Sequence, residues 1–255
     1  MATYKKRGYK PKTKDDKANK IEEQSTTAGV FNTLDEGASK TEQWVIANQK
    51  YIFIIVGFAA TIVLGYLGYS KFIFAPKQSE AMNEMFQAQQ YFNEASTGNE
   101  KDSLYTMSLN GGNGKFGMID IAKEYNGTDA GNLANYYAGI AYLNLKDYQN
   151  AISYLSDFDG SDEILGPIAK GGIGDAFVQL NQPDDALPYY DEAANMKSND
   201  FTTPTYLFKA GSIALQIGKN GQALEYFKRI KNEFSSATEA DNIDVFIGRA
   251  EASSN

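Results

Sequence analysis

The residues of this chain best suited to chemistry are its carboxylates, because the sequence contains no histidine and no cysteine. The commonest general base, the commonest transition-metal ligand and every thiol nucleophile are therefore missing. Acid–base catalysis by carboxylates needs two such groups in different environments around a cleft. The adjacent acidic pairs instead border turns or helix starts, where they stay solvated and favour the helix dipole, which predicts no catalytic site and no enzyme activity. These pairs are Asp162–Glu163, Asp184–Asp185 and Asp191–Glu192.

Two segments have a superficial likeness to ligand-binding loops. Residues 157–163 read Asp-Phe-Asp-Gly-Ser-Asp-Glu, yet the twelfth position of that loop is Ile168 rather than the bidentate glutamate of a calcium site. The glycine-rich residues 111–114 follow no predicted strand and precede no Gly-Lys-Ser/Thr, so a phosphate-binding loop is not indicated. We expect residues 96–115 to form a long flexible loop, and we predict no metal site and no cofactor.

A run of twenty uncharged residues, Tyr51 to Ser70, lies between Lys50 and Lys71. At a rise of ~1.5 Å per residue this run makes a helix of about 30 Å, the thickness of a bilayer's hydrocarbon core. It begins too far from residue 1 for a signal peptide, and no small-residue cleavage motif follows it. Aromatic residues typical of membrane interfaces flank it: Trp44, Tyr51, Tyr66 and Tyr69. We predict a single transmembrane anchor helix over residues 44–74.

Charge predicts the orientation of this anchor. The first 20 residues contain eight lysines and arginines, whereas residues 76–255 contain 13 basic and 25 acidic residues. The positive-inside rule therefore places residues 1–43, a predicted disordered tail, in the cytoplasm and the larger portion outside. The basic stretch Lys5–Lys20 could contact anionic lipid or ribosomal RNA, but setting topology is the favoured interpretation. The acidity of the outer portion argues against nucleic acid as its partner.

The outer portion contains a repeat of helix–turn–helix type. Gly139, Gly174 and Gly211 are 35 and 37 residues apart, and the same spacing separates Ala151, Ala186 and Ala223. Small residues at these positions let two antiparallel helices approach, and larger ones pack between neighbouring hairpins, which stack into a solenoid. The larger residues are Tyr142, Phe177, Leu155, Tyr190 and Phe227. Period, residue types and order resemble the tetratricopeptide repeat, and the fold class predicted is all-α, a transmembrane helix followed by such a solenoid.

We assign three repeats to residues 132–237, an atypical first hairpin with a long loop to 76–131, and a capping helix to 238–255. Pro188 is tolerated only in the first turn of a helix, so the helix containing it is expected to start near Asp184 or Asp185. Ala214 replaces the expected aromatic residue of the third repeat and should weaken the packing of that hairpin.

By analogy of register, the first helix of each hairpin lines a concave groove that suits an extended peptide or a partner's loop. The predicted groove consists of Leu133, Tyr136, Ile140, Asn144, Asp175, Gln179, Thr205, Phe208, Ser212 and Gln216. Packing against the preceding helix is an equally good interpretation of the first three. In the membrane segment, Gly57, Thr61 and Gly65 recur at four-residue spacing, which permits close helix–helix contact in lipid.

A charged tail, one anchor and an outer repeat domain together resemble the ancillary subunit of the Sec translocon in Gram-negative inner membranes. Residues 125–139, with 151–155 after them, carry most of the similarity. The resemblance implies a single-pass inner-membrane protein with a cytoplasmic N-terminus and a periplasmic domain. It also implies a chaperone-like role beside exported polypeptides, the translocon channel and a membrane-anchored prolyl-isomerase-like chaperone.

Two other functions stay open at this point. A general cell-envelope scaffold, for another secretion or motility complex, would use the same repeats to recognise a folded partner. A carboxylate-dependent hydrolase built on helical repeats is the least favoured hypothesis, because no convergent polar site emerges.

Overall fold

The computed structural model describes residues 26–98 and 100–253, and all regular secondary structure in these ranges is helical. The chain divides into two compact units, Met1–Tyr69 and Ser70–Asn255. The predicted fold class is confirmed: a long apolar helix is followed by a series of helical hairpins.

The first unit contains helix α1, Thr26–Tyr69. Among the described residues, one helical stretch, Thr41–Thr97, is long and apolar enough to cross a membrane. No residue of its most apolar segment is buried. Exposing such a surface to water is unfavourable by ~25 cal/mol per Å². The helix is therefore a candidate membrane span. Six of its large apolar side chains are more than half exposed: Phe53, Ile54, Ile55, Phe58, Leu64 and Leu67.

Helix α1 begins further upstream than the sequence suggested. Residues 26–43 belong to the predicted disordered tail, yet the structure has a helix there from Thr26. Extending an existing helix adds one hydrogen bond per residue, whereas starting a new one is costly, so a strongly helical apolar run can extend into polar neighbours. The prediction of disorder for residues 1–25, with the basic stretch Lys5–Lys20, lies outside the described residues.

The second unit begins with a π-helical turn, Ser70–Phe74, and continues with ten α-helices within the described residues. They are α2 Ala75–Thr97, α3 Lys101–Asn110, α4 Met118–Glu124, α5 Asp129–Asn144, α6 Tyr148–Asp157, α7 Leu165–Gln179, α8 Pro183–Met196, α9 Thr203–Gln216, α10 Asn220–Glu233 and α11 Ile243–Ser253. A 3₁₀ turn, Thr238–Ala240, precedes α11. Helices α5–α6, α7–α8 and α9–α10 form three consecutive hairpins.

The prediction of a long loop over residues 96–115 is wrong, because helix α3 occupies half of that range. Four of its side chains lie on the face turned towards the rest of the unit: Leu104, Tyr105, Ser108 and Leu109. The buried Ser108 hydroxyl donates to the Ala88 carbonyl of α2 at 2.9 Å. The spacing of these four residues is that of a helix face, but the polar residues between them and the glycines after them are typical of a loop.

A glycine of the first helix meets a large side chain of the second helix in every hairpin. A Cβ added at the glycine would stand 2.5 to 2.7 Å from that side chain, so only glycine permits the observed approach. The pairs are Gly139 with Leu155, Gly174 with Tyr190, and Gly211 with Phe227. The large side chain also reaches onward: Leu155 lies against Gly172 of the next hairpin, and Tyr190 stacks on Tyr206 at 6.5 Å.

The turn inside each hairpin has the same backbone conformation. One residue per turn has a positive φ, and the amide after it donates to the carbonyl five residues earlier, as in a Schellman motif. Those residues are Lys146, Asn181 and Gly218, with φ of 64°, 59° and 77°. They are 35 and 37 residues apart, so the period of the sequence is also the period of its turns.

Helix α8 begins at Pro183, one residue before the predicted start near Asp184 or Asp185. Pro188, however, lies inside the helix and not in its first turn. The missing N–H of Pro188 leaves the Asp184 carbonyl without its helical donor. Asp184 is exposed, so water can satisfy that carbonyl, and the helix continues past the proline.

The third hairpin differs from the other two at one aromatic pair. Tyr142 stacks on Tyr154, and Phe177 stacks on Tyr189, each at 5.4 Å between ring centroids. Ala214 offers no ring to Tyr226, which stands at the equivalent position of the third hairpin. The Tyr226 hydroxyl instead donates to Asp191 of the preceding hairpin at 2.7 Å.

The apolar core of the second unit has three parts. One cluster joins α2, α3, α4 and α5, and another joins α8, α9, α10 and α11. Between them lies a small cluster whose buried members are Leu155, Ala169 and Ile173. Helix α11 covers the last hairpin, with Ile243, Ile247 and Ala250 buried against the larger C-terminal cluster.

We predict that Gly211→Ala lowers the free energy of unfolding by about 1–3 kcal/mol, because the new methyl group would stand 2.6 Å from the buried Phe227 ring. Gly248→Ala is the matched control: this helical glycine has nothing within 4 Å, so alanine should raise stability by about 0.5–1 kcal/mol. Thermal unfolding of the full chain in detergent, followed by circular dichroism, measures both. Equal effects of the two variants would contradict the glycine contact.

Candidate partner-binding surface

The first helices of the three hairpins, α5, α7 and α9, carry the predicted groove residues. Tyr206 of α9 contacts Gly171 of α7, and Gly172 of α7 lies against Leu143 and Ile140 of α5. Neighbouring first helices therefore touch directly, and large side chains of one helix rest on glycines of the next. Residues on these helices can contribute to one continuous surface.

The first third of the predicted groove consists mainly of packing residues. Leu133 packs against the N-terminal cluster, whereas Tyr136 and Ile140 pack against the small central cluster. The Tyr136 ring lies 5.3 Å from the ring of Phe158. Asn144 is exposed, and its amide nitrogen donates to the Ile140 carbonyl at 2.8 Å. Contact of these residues with a partner stays a prediction.

The middle third is organised by Asp175. Its carboxylate accepts a hydrogen bond from the Tyr190 hydroxyl at 2.6 Å and forms an ion pair with Lys209 at 2.7 Å. The Lys209 ammonium lies 5.6 Å from the ring centroids of both Tyr190 and Tyr206. Gln179, the other predicted residue here, is exposed and accepts from the Tyr148 hydroxyl at 3.4 Å.

Sequence reasoning missed Lys209 as a member of this surface. It lies 34 residues after Asp175 on the adjacent first helix, about one helical turn before Ser212, the position equivalent to Asp175. Opposite charges on adjacent first helices, one turn short of a full repeat apart, are the signal that would have identified the pair. Both side chains are partly exposed, so the ion pair contributes modestly, typically ~0–1 kcal/mol.

The tyrosine hydroxyls of this surface are held protonated. Burial, and then the nearby Tyr137 and Asp162, raises the pKa of Tyr136 to about 12. Burial, and then the carboxylate of Asp175, raises the pKa of both Tyr190 and Tyr206 far above the ordinary value of a tyrosine. These hydroxyls therefore act as hydrogen-bond donors and not as acid–base groups at physiological pH.

The last third is partly covered by the C-terminal end of the unit. Thr205 donates a hydrogen bond to Glu239 at 2.5 Å, and the ring of Phe208 lies 4.8 Å from that of Phe246 on α11. The Ser212 hydroxyl donates to the Phe208 carbonyl, and Gln216 is exposed. The structure therefore leaves Gln216 exposed, whereas Thr205, Phe208 and Ser212 are half-buried.

A polar cleft of about 600 Å³ lies between α4, α5 and α6, outside the predicted groove. A second cavity, of about 350 Å³, shares three of its residues: Asn126, Asn135 and Asp157. Amides and carboxylates of this kind can hydrogen-bond a peptide backbone. Within the described residues, no group of acidic side chains is arranged to hold a metal ion.

Residues 133–158 and residues 172–238 each match the tetratricopeptide repeat. The first match covers most of hairpin α5–α6, and the second runs from the middle of α7 to just beyond the end of α10. No curated protein matches the chain. The repeats indicate a protein–protein interaction module, a class that is generally non-catalytic, and no enzyme family is indicated.

Because the pKa of Tyr136 is raised above 10.0, its ionisation favours the unfolded chain. We predict that stability is retained below pH 10 and is lost progressively between pH 10 and about 12, and that Tyr136→Phe makes this loss shallower. Urea unfolding at a series of pH values measures the effect. Ile140→Val is the control: it trims the same cluster without removing a titratable group, so it should lower stability equally at every pH. A parallel fall in Tyr136→Phe and in the unmodified protein would contradict the prediction.

Proposed function

We propose that this protein is a non-enzymatic, membrane-tethered interaction module, acting as an accessory subunit of the Sec translocon on the periplasmic side of the inner membrane. One observation carries the proposal: an exposed apolar helix and three tetratricopeptide-like hairpins occur in a single chain. An anchor confines the hairpins near the membrane, which raises their effective concentration towards membrane-bound partners.

Charge and composition support the same location. Residues 76–255 carry a net charge of −12, whereas the first 20 residues are strongly basic, so the tail lies in the cytoplasm under the positive-inside rule. Absence of cysteine suits an oxidising compartment. The partners that we propose are the translocon channel, a membrane-anchored prolyl-isomerase-like chaperone and polypeptides emerging during export, with lipid around the anchor.

The predicted groove is the proposed contact surface, with its accessible members nearest to the partner. Asn144 and Gln216 are exposed members of the first helices α5 and α9, whereas Tyr136 and Phe208 are half-buried among other rings. Exposed polar residues beside half-buried aromatic ones suit the rim and centre of a protein interface.

Photocrosslinking from Asn144 and Gln216 tests this proposal in a Gram-negative host. We expect both positions to crosslink to channel subunits, the chaperone or an exported polypeptide, and we expect a stalled export substrate to increase the yield. Gln149 and Asn232, exposed on the second helices α6 and α10, are the matched control positions and should crosslink several-fold less. If the crosslinks join the protein to another envelope complex and their yield does not change when export is blocked, a general scaffold would be favoured instead.

We infer that Gly57, Thr61 and Gly65 form a contact face for a partner helix in the membrane. A Cβ added at either glycine would meet nothing within 4 Å, and the Thr61 hydroxyl donates to the Gly57 carbonyl at 2.9 Å. The face therefore consists of small residues with open space in front of them, and its one hydroxyl is already hydrogen-bonded within the helix. Such a face allows another helix to approach closely in lipid.

We predict that the double variant Gly57→Leu, Gly65→Leu reduces co-purification of membrane partners from mild detergent by about fivefold or more, because leucine holds the helices apart. Ala59→Leu, which adds the same side chain about 200° around the helix from Gly57, is the control and should leave recovery unchanged. Quantitative immunoblotting of the recovered partners measures the difference. Equal recovery with both variants would rule out this contact face.

A further inference from the structure

The C-terminal helix is fixed to one side of the last hairpin by two ion pairs. Lys231 of α10 contacts Asp244 of α11 at 2.7 Å, and Lys228 contacts Glu251 at 3.4 Å. Both acidic side chains of α11 are therefore paired with lysines of α10. Arg249, the only basic residue of α11, forms no ion pair within the part of the chain that the structure describes.

Arg249 lines a cavity of about 370 Å³ between α9 and α11. Its guanidinium carbon lies 5.7 Å from the centroid of the Phe246 ring, within the range of a cation–π contact. The other lining residues are Ser212, Leu215, Gln216 and Phe246. The cavity therefore combines a positive charge, an apolar surface and two polar groups, and its size lies at the low end of the ~300–1,000 Å³ typical of ligand sites.

The floor of this cavity is rigid. Phe246 makes an edge contact with Phe208 at 4.8 Å and packs against Phe227 at 5.5 Å, and Phe227 is fully buried. The three rings hold Phe246, and hence the ring beneath Arg249, in one position. Preorganisation of this kind lowers the entropy lost when a partner binds.

We propose that this cavity, hereafter the Arg249 pocket, binds a glutamate side chain of a partner polypeptide lying along the predicted groove. This inference rests on the proposed function, and it specifies which kind of side chain the predicted groove binds at this end. The carboxylate pairs with the Arg249 guanidinium, and the methylene groups of the glutamate lie on Phe246 and Leu215. The side chain of Gln216 forms no hydrogen bond with the described residues, so its amide group is available to the backbone of the partner.

The charge of Arg249 is complementary to a carboxylate, and the charge of the surrounding domain disfavours any group that carries more than one negative charge. The surrounding domain is acidic, with a net charge of −12 over residues 76–255, so a doubly charged group such as a phosphate is repelled more strongly than a carboxylate. Among the described residues, no carboxylate is paired with Arg249, whose charge is therefore available for an incoming acidic group.

Fluorescence anisotropy with defined peptides tests the Arg249 pocket in the full chain reconstituted in lipid nanodiscs. The probe is fluorescein-labelled Gly-Ser-Leu-Glu-Leu-Ser-Gly with an amidated C-terminus, and the comparison peptide carries Gln in place of Glu. We expect the glutamate peptide to bind about fivefold more tightly, the scale of one partly exposed charge-assisted contact. A third peptide, the Gln sequence with a free terminal carboxylate, should bind like its amidated form if a side chain is the ligand.

Arg249→Gln should make the glutamate and glutamine peptides bind equally. Arg229→Gln removes the same charge from α10, where the arginine is paired with Glu233, and should leave the fivefold preference intact. Arg249→Lys keeps the charge and should retain part of the preference, which separates loss of charge from loss of fold.

Three results would overturn the inference: no saturable binding of the glutamate peptide, equal binding of both peptides by the unmodified protein, or a preference that survives Arg249→Gln. Tighter binding of the free-acid peptide than of its amidated form would overturn the assignment to a side chain. The assay needs no native partner, so its failure leaves the crosslinking result for the proposed function standing.

Discussion

The contact between a glycine of each first helix and a large side chain of the second helix organises the three hairpins of the second unit. Because glycine has no Cβ, the large side chain can sit almost on the opposing backbone and still extend beyond it. Leu155 thereby touches Gly172 of the next hairpin, and Phe227 reaches Phe246 of the C-terminal helix. The glycine in each repeat therefore sets the distance between the two helices of a hairpin and allows that hairpin to pack on the next one. The spacing of the first helices, and with it the position of Asp175 beside Lys209, follows from that choice.

The hairpins themselves could be predicted because their periodic residues have local consequences. A glycine or small residue every 35 to 37 residues marks the close helix approach, and the same spacing brings round the left-handed turn residue. The tolerance of Pro188 inside α8 could not be predicted, because it depends on tertiary packing of Leu187 and Tyr190, which outweighs one lost helical hydrogen bond. Helix α3 was missed for a similar reason: its stability comes from packing on α2, while its own sequence is rich in polar residues and ends in glycines.

The site was less predictable than the fold, because a position on a helix face does not reveal what covers it. Thr205 and Phe208 have the register of groove residues, yet Glu239 and Phe246 engage them from a segment some 30 to 40 residues later. Asp175 and Lys209 illustrate the opposite case, in which a contact between repeats was implicit in the period. Contacts within the repeat can therefore be derived from the sequence, whereas contacts with the terminal segment need the structure.

The residues on which the proposed likeness to the translocon subunit rests have clear roles in the fold itself. The Thr128 hydroxyl accepts from the Gly131 amide at 3.0 Å and so caps α5, and a Cβ at Gly131 would collide with the Tyr125 carbonyl. Asn132 binds the backbone of Asp159 through both its amide oxygen and its amide nitrogen, at 2.8 and 2.9 Å. The geometry of the first repeat alone is enough to explain why these residues occur in the sequence. Identification of the partner must therefore come from the exposed residues that the motif does not include.

The unequal division of the core has a mechanical consequence. Among the described residues, Leu155, Ala169 and Ile173 form the buried centre that joins the first hairpin to the second, and seven half-buried apolar residues pack against it. In a linear array each unit adheres only to its neighbours. The half-buried side chains of this joint can therefore adjust to a bound chain without opening the buried clusters on either side.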